Sequence, residues 1–241
     1  GAQAFSAGGQ RLWMEGLTIS NGFASAGPAL YANNSFTILS NCMIVKHGGA
    51  AAVYARNGAF SAIDSAFHQN AVDSSGSGYG GGLGTLNAAV SLIRVDFVQN
   101  STAPWQTYGG ALSLSGGQAW VADCLFSSNK TLSGGVNRGG ALYASTVAPL
   151  HIENSRFLDN AISGGAYAGG GGALKLEGVE AGMVTGCTFQ GNYSLPRKGV
   201  ALNRGSVIHT SGSGTLAIRD CAIRASPTLG LSSEELYLEP T

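Results

Sequence analysis

Asp64 and Asp123 are the nearest approach in this sequence to a catalytic carboxylate pair. Glycosidases use such a pair: one carboxyl protonates the leaving oxygen, and the other activates water or attacks the sugar. If each repeat of this chain forms one coil of a solenoid, Asp64 and Asp123 lie two coils apart, roughly 9–10 Å, at the wide end of the spacing for an inverting pair. Arg94 occupies the same repeat position between them, so the column also reads as an alternating-charge surface ladder. The remaining acidic residues, of thirteen in all, are scattered. His47, His68, His151 and His209 form no triad that sequence reveals, and no His or Cys pair has metal-ligand spacing. No metal or cofactor is expected, and the balance of residues is against an enzyme.

A second polar set is more regular. Phe-x-x-Asn occurs five times, ending at Asn70, Asn100, Asn129, Asn160 and Asn192, at intervals of 29 to 32 residues. Asparagines stacked at one turn can form an internal amide ladder. Asn33, Asn100, Asn129 and Asn192 also head Asn-x-Ser/Thr glycosylation triplets. An amide committed to a ladder is withheld from glycosyl transfer, so the two roles compete at three of these positions. Asn33 lies off the ladder and is the cleaner candidate for a glycoprotein site.

These residues must be positioned by a repeating unit. Gly109-Gly110-Ala111-Leu112, Gly139-Gly140-Ala141-Leu142 and Gly171-Gly172-Ala173-Leu174 each precede a Phe-x-x-Asn. A near-constant period of this size marks a solenoid, propeller or array. With 38 glycines in 241 residues, helical repeats are disfavoured. Ile19, Ile44, Phe67, Phe97, Phe126, Phe157, Phe189 and Ile223 align in one column. Two residues earlier stand Leu17, Cys42, Ser65, Val95, Cys124, Ser155, Cys187 and Cys221. Positions i and i+2 share one face of a strand, so both columns can point inward. Asn41, Asp64, Arg94, Asp123, Asn154 and Asp220 then read as the outward partners in strand alternation. The period is too short for a propeller blade and fits one coil of a parallel β-helix.

The paired Gly-Gly-Ala-[Ile/Leu/Val] and Phe-x-x-Asn motifs resemble the repeats of the chlamydial polymorphic outer-membrane proteins. The resemblance spans about residues 41–192 and is strongest over 109–192. It implies an extracellular or cell-surface right-handed β-helix with adhesive or structural roles. Residues 199–241, after the repeats, carry no amphipathic barrel pattern, a departure from that family.

The expected architecture is therefore all-β: a right-handed, single-stranded parallel β-helix of about eight coils, roughly 40 Å long, with longer loops on one edge. It forms one domain over 1–241, regular over 48–198 and weaker over 1–47 and 199–241. The chain opens on Gly1 and reads as a processed product or a piece of a longer protein. Charged residues are 11% with zero formal net charge, against nucleic-acid binding. No apolar run is long enough for a transmembrane helix. The four cysteines share the inward column, as free buried thiols or with Cys187 and Cys221 bridged across adjacent coils.

Insertions after the repeated asparagines carry Tyr79, Trp105, Tyr108, Tyr167 and Tyr193. Solenoid insertions cluster on one face, often the binding face. The aromatics suit contact with a protein, matrix or glycan partner, or they cover the flank. Uncovered solenoid ends favour end-to-end or side-by-side assembly. The function expected is a non-catalytic, extracellular structural or adhesive module. The alternatives are a carbohydrate-active enzyme using Asp64 and Asp123, or a carbohydrate-binding module.

Overall fold

A computed structural model of the chain describes residues 5–22, 27–73, 77–132, 135–165, 169–196, 207–224 and 236–238. These residues form parallel strands stacked as a β-solenoid, and no helix occurs among them.

Each coil is built from stations that recur in register. The first station follows the glycine-rich corners, Gly-Gly-Gly at 80–82 and Gly-Gly-Ala afterwards: Leu83–Ile93, Leu112–Ala122, Leu142–Ser145 and Leu174–Glu177 are successive examples. The second station forms a flank: Arg11–Glu15, Phe36–Ser40 and Ala59–Ile63 lead to the distal halves of the two eleven-residue strands, then to Leu150–Glu153, Ala181–Thr185 and Thr215–Arg219. Because Leu83–Ile93 and Leu112–Ala122 run through both stations, the two belong to one sheet. The third station carries the phenylalanines and forms an eight-stranded sheet among the described residues, from Thr18–Ser20 to Ala222–Arg224.

The insertions are themselves partly ordered as strands. Ala71–Val72, Ser101–Thr102, Lys130–Leu132, Ala161–Gly165 and Tyr193–Pro196 stack in one sheet. Ser77–Tyr79, Gln106–Tyr108 and Val136–Arg138 stack in another. The five coils between Ala71 and Pro196 are thus closed by β-structure on the insertion side as well.

One predicted role is corrected. Asn41, Asp64, Arg94, Asp123, Asn154 and Asp220 are not strand residues; they have φ between +48° and +54° and turn the chain into the phenylalanine station. Asn and Asp tolerate this left-handed region better than most residues. A second left-handed corner, at Lys46, Gln69, Gln99, Ser128 and Asp159, precedes the repeated asparagines and the equivalent His47.

The Gly-Gly pair has two separate causes. Gly109 sits at φ +70°, which a Cβ would strain. Gly110 faces the next coil, where an added Cβ would lie 2.6 Å from the Lys130 nitrogen and closer still to the Gly140 carbonyl. The first glycine makes the bend, and the second lets neighbouring backbones approach.

The core is the inward surface of the stack. Phe67, Phe97, Phe126, Phe157 and Phe189 are fully buried and stack with ring centroids 4.7–4.9 Å apart and planes within 9° of parallel. Burying one such side chain contributes about 1.5–3 kcal/mol. Leu83, Leu112, Leu142 and Leu174, the leucines of the first station, complete the core in register. Trp13, in register with Ile38, projects from the flank and is 69% exposed.

Candidate functional site

The asparagine column is internal. Each Asn Oδ1 accepts both the backbone N–H and one Nδ2–H from the residue one coil earlier, for the pairs Asn70–Asn100, Asn100–Asn129, Asn129–Asn160 and Asn160–Asn192. The other Nδ2–H donates to a carbonyl of the phenylalanine column, such as Asn129 to Phe97 O at 2.9 Å. His47 replaces asparagine at the first rung and donates its backbone N–H to Asn70 Oδ1 at 3.0 Å. Burial lowers the His47 pKa below 6.5, partly offset by its contact with the Gly27 carbonyl. The glycosylation candidates Asn100, Asn129 and Asn192 are each at most 1% exposed, with Nδ2 donating inward. Asn33 stands in the strand Leu30–Asn33, half-buried.

The carboxylate pair is occupied by its own column. Arg94 donates from Nε to Asp64 Oδ1 at 2.6 Å and from Nη2 to Oδ2 at 2.9 Å. This bidentate contact holds the Asp64 carboxyl below its usual pKa range, opposed by desolvation. Asp123 adds attraction to the same guanidinium. A glycosidase acid needs a raised pKa, and Asp64 is shifted the other way. Among the described residues, no group of three or more His, Cys, Asp or Glu side chains could hold a metal.

Cys42, Cys124 and Cys187 are buried and Cys221 partly so; all four are free thiols. Burial pushes Cys124 and Cys187 up to about 12, so neither is a thiolate at neutral pH. Cys187 and Cys221 are in register on adjacent coils without a bridge.

The structure brings two of the loop aromatics together. Tyr79 and Tyr108 are register partners and stack at 5.0 Å and 7°. Arg138, the next residue in that column, places its guanidinium 5.1 Å from the Tyr108 ring centroid. Tyr79 is still 42% exposed, whereas Tyr108 has contacts toward both neighbouring coils. Trp105 is 59% exposed, and Tyr193 is half-buried in Tyr193–Pro196. Tyr167 lies outside the described residues.

Beneath this edge is a polar network that sequence reasoning missed. Glu177 accepts the Tyr143 hydroxyl at 2.6 Å and pairs with Arg138 at 3.2 Å and Lys175 at 3.5 Å. Burial, then the bond to Glu177, raises the Tyr143 pKa well above 10. Tyr143 and Lys175 occupy the position following the leucine of Gly-Gly-Ala-Leu, and aligning that column across repeats would have exposed them.

Trp120 was also missed. It is half exposed, stacks on His151 at 5.8 Å, and donates its indole N–H to Glu153 at 3.1 Å. It lines a cleft on the flank that runs from Phe36 to Pro149 and His151.

No helix among the described residues is long and apolar enough to cross a membrane. No family model, curated protein or solved structure matches the chain.

Proposed function

We propose that this chain is a non-catalytic, extracellular structural or adhesive module that makes protein or matrix contacts through its sides. The observation that carries the reading is the bidentate Arg94–Asp64 contact, which puts the best-placed carboxylate into an ion pair of the surface ladder. The repeated asparagines are likewise spent on joining coils. The most regular polar features therefore build the rod, and its flank and aromatic edge remain for contact. The motif resemblance described above supports placement at the cell surface. The test is binding of the immobilised intact chain to a panel of matrix proteins and glycans. Saturable binding to at least one component is expected, and absence of binding across the panel would overturn the reading.

A further inference from the structure

The flank presents outward columns that cross the coils in register. One column runs Trp13, Ile38, Ser61, Ser91, Trp120 and His151. Its neighbour runs Arg11, Phe36, Ala59, Ala89 and Gln118. In both, the middle coils carry small side chains between larger ones. The result is a cleft of about 490 Å³. Ala59, Ser61, Ala89 and Ser91 line its floor, between Phe36 and Trp120.

Strands repeat every ~4.8 Å across a sheet, and the buried phenylalanines show that one coil accommodates one ring, at 4.7–4.9 Å. Ser61 and Ser91 therefore leave ring-thick slots in their column. His151 covers one face of Trp120, and the Ser91 slot lies on the other. The bond to Glu153 fixes the indole before any ligand arrives, which lowers the ordering cost of binding.

The lining selects a ligand class. It offers the hydroxyls of Ser61 and Ser91, the Gln118 amide, the His151 imidazole and two aromatic rings. Arg11, the nearby cation, sits over Phe36 at 5.9 Å, and Glu153 is bonded to Trp120. A phosphorylated or sulfated ligand calls for a cationic surface. An added peptide strand calls for an open sheet edge, but the floor strands are paired on both sides. A neutral saccharide offers C–H faces to the rings and hydroxyls to the polar groups.

We infer that this cleft binds a neutral oligosaccharide, with one pyranose ring stacked on the free face of Trp120 over Ser91. From Phe36 to Gln118 is three coil steps, roughly 14 Å, enough for a disaccharide or longer. The inference rests on the contact reading above and names its ligand class.

The test uses the intact chain in calorimetry and tryptophan fluorescence, with cellotetraose, xylotetraose and chitotetraose as neutral probes and a heparin oligosaccharide as the charged one. Trp120→Ala removes the platform. Ser91→Phe fills the slot while leaving Trp120 in place. Met43→Ala, at an exposed residue of the third station, is the control, and circular dichroism checks that each variant is folded. At least one neutral probe is expected to bind, with affinity about tenfold weaker or worse in both cleft variants and unchanged in the control. No neutral binding, binding that survives both cleft variants, or binding of heparin alone would overturn the inference. A chain that binds the matrix panel but no neutral probe overturns this site and leaves the contact reading standing. Binding to neither overturns both.

Discussion

Asn100 donates its backbone N–H and one side-chain N–H to the same oxygen, Oδ1 of Asn129, at 2.9 and 3.1 Å. Its other Nδ2–H goes to Phe67 O at 2.7 Å, and its own oxygen accepts two bonds from Asn70. The site is fully buried, so a group lost here is not replaced by water. Aspartate would keep the acceptors and lose the donors, so asparagine is the residue suited to this position.

Asn129→Ala is therefore expected to destabilise the chain by about 3–5 kcal/mol, because it orphans several buried groups at once. Urea unfolding measures this directly. Asn33→Ala, off the ladder, should shift stability by less than about 0.5 kcal/mol.

The same geometry sets glycan occupancy. Expression through a eukaryotic secretory pathway, followed by peptide mapping, should find glycan at Asn33 and none at Asn100, Asn129 or Asn192. A glycan on any ladder asparagine would contradict the internal placement of its Nδ2.

His47 gives the ladder a pH dependence. Its folded pKa lies below 6.5, so the unfolded chain takes up the proton more readily. The associated stability is full above pH 6.5 and is lost as pH falls from there through the lower folded value. His47→Asn should abolish this acid-side loss and extend the ladder by one rung. Thermal midpoints across pH 4–8 would check both effects; an unchanged slope in the variant would assign it to another group.

The second glycine of each pair is a close-approach residue. Gly110→Ala should cost more than about 3 kcal/mol or prevent folding, since backbone stands where its Cβ would go. Gly8, with open space around its Cβ position, is the control. Gly8→Ala should be neutral or stabilising by up to about 1 kcal/mol.

Much of the fold was legible because identical residues at a fixed interval meet when coils stack. Phe97 on Phe126 and Asn100 on Asn129 follow from period alone. The corners were misread because a polar residue in a left-handed bend and one on an outward strand face look alike in a hydropathy pattern. The Asn and Asp enrichment at Asn41, Asp64, Asp123 and Asn154 was the available signal. The Glu177 network and the Trp120 cleft were hidden for another reason. Their members fall in columns of varied residue type, and the second station has no repeated motif to fix its register. Gly117, paired with Ala88 midway along the eleven-residue strands, marks where that alignment had to be made.

The proposed module binds through its surface and performs no chemistry there. The most direct measurement compares wild type with Asp64→Asn/Asp123→Asn for saturable binding to the matrix and glycan panel and for release of new sugar ends. Binding is expected to be equal in the two proteins, with no release by either. Polysaccharide cleavage by wild type that the double variant loses would contradict it.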